Sequence, residues 1–166
     1  MTFRSAVRLA LCAVTLGFLG FSPSRAFGTT ATTTFGVSAT VLATCTVSAT
    51  AMAFGNYSGV LITGTTSTIT VTCTNTTTYN VGLSAGLSTG ATVTTRKMVN
   101  GAALLGYSLY RDSGLTQNWG VTIGTDTASG TGNGAAQPIT VYGQVPAGQY
   151  VTPGSYADTI TATVTY

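Results

Sequence analysis

The chain has 166 residues, of which 44% are hydrophobic and only 5% are charged. This balance excludes a chain that is disordered because of charge repulsion. The sequence contains no His and no Glu. It therefore offers neither a Ser–His pair nor a Glu acid/base, and we expect no enzyme activity.

The first 26 residues have the pattern of a secretory signal peptide. Arg4 and Arg8 precede an apolar run from Leu9 to Phe21, and Ser24–Ala26 places small residues at the two cleavage-determining positions. The run is too short for a comfortable membrane span. We expect residues 1–26 to be removed and the mature chain, of about 140 residues, to be exported as one domain without a transmembrane segment.

Removing the signal peptide changes the charge of the chain. Three basic and three acidic residues remain, so the mature net charge is 3 − 3 = 0: Arg96, Lys97, Arg111, Asp112, Asp126 and Asp158. The calculated pI of 8.9 for the full chain therefore gives no reason to expect nucleic acid or an anionic membrane as a partner.

The mature chain begins with a period-two pattern. Five apolar or small residues alternate with small or polar ones: Phe35, Val37, Ala39, Val41 and Ala43. This spacing predicts a strand with one buried face. The apolar alternation continues beyond Cys45 through Val47 and Ala49 to Met52 and Phe54.

Short alternating segments separated by Gly and Pro follow. We predict strands over Ser67–Thr74, Tyr79–Leu83, Ala103–Tyr110, Trp119–Ile123, Ile139–Gly143 and Tyr156–Tyr166. Arg96 and Lys97 are expected in a solvated polar loop, and the Gly-rich stretch 125–136 in another. No segment keeps a helical period over three turns. The pattern predicts an all-β antiparallel sandwich.

Two cysteines remain after export, Cys45 and Cys73. An even pair in an exported chain favours a disulfide, which would stabilise the fold by roughly 3–4 kcal/mol. A metal site is the weaker interpretation, because two thiols without His or Glu cannot fill a tetrahedral shell. We expect no metal and no cofactor.

The number and position of the strands indicate an incomplete fold. A seven-strand immunoglobulin-like sandwich needs one more strand after Tyr166, whereas the surplus strand lies before Cys45. A sandwich without its last strand exposes core side chains and an unpaired edge. An extended segment of a neighbouring molecule can fill such a gap.

The sequence resembles the spore coat protein U domain, the subunit type of archaic, Csu-type chaperone–usher pili. Five stretches carry the resemblance in order: VLATCTVSATAMAFGNY (Val41–Tyr57), ITVTCTNTTTYNVGLSAG (Ile69–Gly86), LLGYSLYRDSGLTQNWG (Leu104–Gly120), GTGNGAAQPITVYGQVPAGQYVTPG (Gly130–Gly154) and SYADTITATVTY at the end.

The resemblance implies a pilin domain over 43–166, preceded by a donor-strand segment over 27–42. It implies three kinds of partner: a periplasmic chaperone, an outer-membrane usher, and identical or homologous subunits. The donor positions would be Phe35, Val37, Ala39 and Val41. The chaperone-binding strand would carry Ile160, Ala162, Val164 and Tyr166, and the disulfide would join Cys45 to Cys73. Such a subunit would reach the surface of a Gram-negative cell and support adhesion and biofilm formation.

Two other functions remain open from the sequence. The chain could be a spore-coat or cell-surface protein whose first strand closes its own sandwich. It could also be a carbohydrate-binding module that uses Trp119, with Tyr107 and Tyr110, as a stacking platform. Packing of these rings within the core or on a sheet is the favoured alternative to a sugar platform.

Overall fold

The computed structural model describes residues 27–166, and the signal-peptide prediction for residues 1–26 lies outside that range. The described residues contain strands and no helix. The eight strands are β1 (Cys45–Ala49), β2 (Ile62–Cys73), β3 (Thr78–Leu83), β4 (Arg96–Asn100), β5 (Ala103–Tyr110), β6 (Ala128–Thr131), β7 (Gln137–Val145) and β8 (Ala162–Thr165).

The chain divides into two units at Ser38. Residues 27–38 of the first unit form no strand and are exposed. The second unit, Ala39–Tyr166, contains all eight strands, and its first residues, 39–44, are likewise outside any strand. The alternating pattern from Phe35 to Ala43 therefore forms no sheet within the described residues.

The strands form two antiparallel sheets. The first sheet has five strands in the order β1-β2-β7-β5-β4, and the second has three in the order β6-β3-β8. Val71 of β2, Leu109 of β5 and Val141 of β7 are buried on the first sheet, and Val81 and Leu83 of β3 on the second. They belong to one hydrophobic cluster, so the core lies between the two sheets.

Several predictions of strands are confirmed. Tyr79–Leu83 lies within β3, and the segment Ala103–Tyr110 coincides with β5. Ile139–Gly143 lies within β7. Strand β2 starts at Ile62, five residues before the predicted start. Its pairing with β7 shifts register between Ile62 and Thr65. In these segments the alternating pattern was sufficient, because each strand buries one face.

The predicted polar loop at Arg96 and Lys97 is wrong, since both residues belong to β4. Arg96 is fully buried rather than solvated, and its partner across β5 is Tyr107. A charged residue breaks the apolar alternation that marks a strand. The pattern therefore failed where the buried face carries a guanidinium group.

The predicted loop over 125–136 is partly wrong, because Ala128–Thr131 forms β6 and pairs with β3. Gly130 is opposite Tyr79 in this pairing, and a Cβ on Gly130 would lie 2.5 Å from the Tyr79 Cζ. The Gly-rich composition there leaves room for a tyrosine ring against the strand. It does not indicate a loop in this segment.

The predicted brief strand over Trp119–Ile123 is also wrong, because the chain turns there. The Asp126 carboxylate accepts from the Thr122 N–H at 2.6 Å, and the Thr125 N–H donates to the Thr122 carbonyl at 3.1 Å. Gly124 has a φ of +80°, the left-handed conformation that ends strand geometry.

The predicted C-terminal strand Tyr156–Tyr166 is shorter in the structure. Only Ala162–Thr165 pairs with β3 as β8. Upstream, Ala157 exchanges two backbone hydrogen bonds with Val99 of β4, at 2.8 and 3.1 Å. The chain between Ala157 and β8 therefore crosses from an edge of the first sheet to the second sheet.

Candidate functional site

A groove opens the core of the sandwich on one side. Its cleft has a volume of about 410 Å³, with residues 49–54 (the 49–54 flank) on one side and residues 156–162 (the 156–162 flank) on the other. Ile69, Leu109 and Val141, all buried core residues, form its floor. The groove thus gives access to side chains that a complete sandwich would seal.

A larger cleft, of about 790 Å³, continues from this groove. The two clefts share Met52, Phe54, Met98 and Tyr156. The groove is lined mainly by apolar and aromatic side chains, whereas the larger cleft is more polar and includes Asn56, Gln149 and Thr152. The apolar part of the opening is therefore the groove between the two flanks, where an extended peptide could bind.

Strand β8 begins at the groove, which Ala162 lines, and the strand also contacts β1. Pairing with β3 places Ala162 opposite Leu83, but the Leu83 N–H donates to the Gly120 carbonyl at 2.8 Å instead. In an antiparallel ladder, hydrogen-bonded and non-hydrogen-bonded pairs alternate. The N–H and C=O groups of Ala162 and Val164 therefore point away from β3, toward the open edge of the second sheet.

The opposite side of the groove is also unpaired. Strand β1 ends at Ala49, and the Thr50 N–H makes a last ladder bond to the Thr68 carbonyl at 2.9 Å. Among the hydrogen bonds within residues 27–166, none is donated by a backbone N–H of residues 51–57. Met52 and Phe54 are nevertheless half-buried against the core. The groove thus lies between two segments with free backbone groups.

Burial decreases from the centre of each sheet to its edge strand, β1 in the first sheet and β8 in the second. Val71 and Val47 are directly opposite in the β1–β2 ladder and share a face, yet Val71 is 0% exposed and Val47 is 40% exposed. In the β3–β8 ladder, Val81 is fully buried while its partner Val164 is only half-buried. Both edge strands continue an apolar row at lower burial, and the two strands contact each other.

Asp158 fixes the 156–162 flank in place. Its carboxylate accepts from the Tyr107 hydroxyl at 2.7 Å and from the Leu87 N–H at 2.9 Å. Burial, followed by this hydrogen bond, raises the pKa of the Tyr107 hydroxyl above its ordinary value. A Cβ on Gly86 would clash with the carboxylate, so glycine is required at that position. Asp158 thereby tethers the segment leading into β8 to the first sheet.

Arg96 holds the sandwich together behind this flank. Its guanidinium donates to four backbone carbonyls: those of Leu83 (3.1 Å), Ser84 (2.8 Å), Val93 (2.6 Å) and Trp119 (2.6 Å). Burial lowers the pKa of Arg96 from its ordinary value. The group joins β4 to the end of β3 and to the turn at Trp119, and it is a structural cation.

Trp119 is not the stacking platform that a carbohydrate-binding module would need. The side chain is fully buried, and its Nε1 donates to the Val81 carbonyl at 2.8 Å. Tyr107 is buried as well, and its ring packs at a tilt against Phe54 with the centroids 5.8 Å apart. Packing within the core is confirmed for Trp119 and Tyr107, whereas Tyr110 is half-buried at the end of β5.

The structure gives a location for each predicted site residue. Phe35, Val37, Ala39 and Val41 are all exposed. Ile160, Ala162 and Val164 pack against the core, and the first two line the groove, whereas Tyr166 is 58% exposed. The predicted disulfide is confirmed, because Cys45 and Cys73 are joined by an S–S bond of 2.02 Å.

Sequence reasoning missed two features of the groove. One is the flank carrying Met52 and Phe54, which the apolar alternation included but assigned to a continuing strand. The other is the tether formed by the carboxylate of Asp158, which sequence reasoning counted only as a charge. The signal for the second was weak, since its partner Tyr107 lies 51 residues away.

Two further observations concern residues 27–166 only. No group of three or more His, Cys, Asp or Glu side chains lies close enough there to hold a metal ion. In the same range, the structure has no helix long and apolar enough to cross a membrane.

Two antiparallel sheets around one core, open along an edge strand, define an incomplete immunoglobulin-like sandwich. The sequence model of the Spore Coat Protein U domain matches residues 31–163. The chain is 35% identical to Protein U of Myxococcus xanthus over 181 aligned positions, which cover 98% of this chain and 99% of that protein. The chain belongs to the Spore Coat Protein U domain family.

The fold is similar to that of a solved structure. A chain in the crystal structure of the CsuC–CsuE chaperone–tip adhesion subunit pre-assembly complex, from the archaic chaperone–usher Csu pili of Acinetobacter baumannii, matches with a TM-score of 0.53 and 22% identity. The match covers 76% of this chain and 40% of that chain. The chain therefore spans less than half the length of this structural relative.

Proposed function

We propose that this protein is a subunit of an archaic chaperone–usher pilus and that it polymerises by donor-strand complementation. The observation that carries the proposal is the apolar groove between the 49–54 flank, whose backbone N–H groups are unpaired from residue 51 onward, and the 156–162 flank, which leads into the edge strand β8. A strand inserted there would extend the second sheet and cover the floor of the groove. The family and the fold support this assignment.

The donor is the N-terminal segment of another subunit, residues 27–42, and it completes the pilin domain formed by residues 43–166. Phe35, Val37, Ala39 and Val41 would point into the groove, because they share one face of an extended chain. From Phe35 to Val41 the segment would span about 20 Å as a strand. The exposure of all four side chains leaves them available to a neighbour.

The energies indicate what the insertion must include. Burial of Phe35 and two valines contributes roughly 1.5–3 kcal/mol each. Ordering about ten extended residues costs roughly 1–2 kcal/mol per residue. Side-chain burial alone is therefore insufficient, and the donor must also form ladder hydrogen bonds to both unpaired edges. A polymer held in this way persists because it unfolds slowly.

Before assembly, a periplasmic chaperone would occupy the same groove and pair with the C-terminal strand. Ile160, Ala162 and Val164 would supply the apolar face, and the carboxylate of Tyr166 would bind basic chaperone residues. The outward-pointing backbone groups of Ala162 and Val164 support this role. An outer-membrane usher would then exchange the chaperone strand for the donor segment of the next subunit.

The assembled fibre would stand on the surface of a Gram-negative cell and contribute to adhesion and biofilm formation. This localisation requires export, which the predicted signal peptide over residues 1–26 would direct. The mature chain, neutral and without a catalytic constellation, is suited to a structural role.

Deletion of Phe27–Leu42 tests the proposal in the presence of a periplasmic chaperone of this class. The shortened subunit should still co-purify with the chaperone, because its groove and β8 are intact. It should not add to the groove of another subunit, since it has no donor. Fibres of unchanged length and amount from the shortened subunit would contradict the proposal.

A self-contained coat protein is the second candidate, and the nearly full-length similarity to Protein U favours it. In that case the N-terminal segment would close the groove of its own molecule. Purification of the mature chain without a chaperone would then give a stable monomer in which residues 35–41 are protected from solvent.

A further inference from the structure

The N-terminal segment leaves the domain at a fixed point. Thr44, the residue just before β1, makes two hydrogen bonds with Thr74. The Thr44 N–H donates to the Thr74 Oγ1 at 3.2 Å, and the Thr74 N–H donates to the Thr44 carbonyl at 3.0 Å. The next pair in the ladder, Cys45 and Cys73, is joined by the disulfide. Thr44 therefore continues the direction of β1.

Thr74 is itself held in a rigid turn. Its Oγ1 is hydrogen-bonded to the Thr77 Oγ1 at 2.6 Å, and the Thr77 N–H donates to the Thr74 carbonyl at 3.1 Å. Gly132 exchanges backbone hydrogen bonds with Thr76 and Thr77 at 2.9 and 2.7 Å. A Cβ on Gly132 would clash with the Thr74 carbonyl, so the backbones of Gly132 and Thr74 pack closely against each other.

This exit point lies at the end of β1 that is remote from the groove. The groove begins at Ala49, and Cys45 is four residues away, about 13 Å along an extended strand. To enter its own groove, the donor segment would have to reverse its direction between Val41 and Thr44. Only Leu42 and Ala43 are free to turn, and neither favours the positive φ angles that two-residue hairpin turns require.

We propose that Thr74, together with the Cys45–Cys73 disulfide, is a positioning device that directs the donor segment away from the groove of its own subunit. The segment can then complete only a second copy, and the chain polymerises instead of closing on itself. This inference rests on the proposed function, because it assumes that residues 35–41 are a donor strand.

The experiment inserts a six-residue Gly/Ser linker between Leu42 and Ala43 of the mature chain. The linker leaves Thr44, Thr74 and the disulfide intact, and it gives the segment enough slack to turn back. The matched control carries the same linker between Gly28 and Thr29, upstream of the donor residues. Each protein is refolded over a range of concentrations and analysed by size exclusion with light scattering, and hydrogen exchange of residues 35–41 is measured in the monomer fraction.

The linker after Leu42 should raise the ratio of protected monomer to polymer at least tenfold, while the upstream linker leaves this ratio at the wild-type value. Thr74→Val should raise the ratio of monomer to polymer to a smaller extent. Thr74→Ser, which keeps the hydroxyl acceptor, should leave the ratio at the wild-type value. If the variant with the linker after Leu42 polymerises like wild type, the positioning role is wrong and the proposed function stands. If wild type itself forms a protected monomer, the proposed function fails.

Discussion

The ring of Phe54 lies directly against the backbone of Gly143, with its Cε1 2.8 Å from the position that a Cβ on this glycine would occupy. The sulfur of Met52 contacts the same position. Gly143 is thus a notch in the inner face of β7, and the 49–54 flank is seated in it. The groove keeps its shape because this flank is packed on the floor, although its backbone N–H groups from residue 51 onward are unpaired.

Replacement of Gly143 by Ala should destabilise the fold by about 1–3 kcal/mol, because Met52 and Phe54 must be displaced. Thr140→Ala, an exposed position on the same strand, is the control and should change the unfolding free energy by less than about 0.5 kcal/mol. Urea unfolding of the mature chain measures both. Equal midpoints for the two variants would contradict the seating of the flank on Gly143.

Arg96 should be required for folding, because its guanidinium is the donor to four backbone carbonyls. Arg96→Met should cost roughly 3 kcal/mol or more, because several buried carbonyls lose their donor. Arg96→Lys should also be destabilised, since one ammonium cannot match the planar array of guanidinium donors. Lys97→Met, at the adjacent position, is the control and should remain within about 0.5 kcal/mol of wild type. Thermal unfolding separates these cases.

Tyr107 should stay protonated at a pH at which an ordinary tyrosine ionises. Its pKa is raised above 10.0 by burial and by the hydrogen bond to Asp158. A raised native pKa contributes stability that is fully present below pH 10 and is lost as the pH rises above it. Alkaline titration can be followed by the absorbance of tyrosinate. In the folded protein, the total change in this absorbance (the native amplitude) should therefore be the same for wild type and Tyr107→Phe.

The unfolded state supplies the control for that titration. In urea, the Tyr107→Phe amplitude should fall by one of the eight tyrosines. A lower native amplitude in the variant would show that the Tyr107 hydroxyl ionises in the folded protein, and would contradict its burial against Asp158.

A charge on the inward face of the donor segment should block assembly without affecting the acceptor groove. Val37→Asp should abolish polymerisation, because a carboxylate would be buried without a partner in the apolar groove of the next subunit. Ser38→Asp, on the opposite face of the same extended segment, should assemble normally. Both variants should still bind the chaperone. Electron microscopy of fibres, with co-purification of the chaperone, tests the pair, and assembly by Val37→Asp would show that this face does not enter the groove.

Much of the fold could be predicted from the sequence because most strands bury one face and so alternate. The segment Tyr79–Leu83 in β3 and the whole of β5 followed this rule. The rule failed at β4, where Arg96 occupies a core position, and at β6, where Gly130 makes room for a tyrosine ring. In each case a tertiary contact, invisible in the local pattern, determines the strand.

The candidate site could be predicted only in outline. The open edge of the sandwich was predicted by counting strands, and the Cys45–Cys73 pair was predicted from composition. The flank with Met52 and Phe54 depends on the notch at Gly143, which is 89 residues after Phe54. The tether between Asp158 and Tyr107 depends on a contact that only the folded sheets create.

Hydrogen exchange at single-residue resolution, compared between the dilute mature monomer and the assembled polymer, tests the central claim most directly. If the sandwich is completed by a second copy, the amides of residues 35–41, together with those of Ala162 and Val164, should exchange freely in the monomer. The same amides should be protected in the polymer, because a ladder then forms on both sides of the inserted strand. Protection of these amides in the dilute monomer would contradict the claim, since the chain would already have completed its own core.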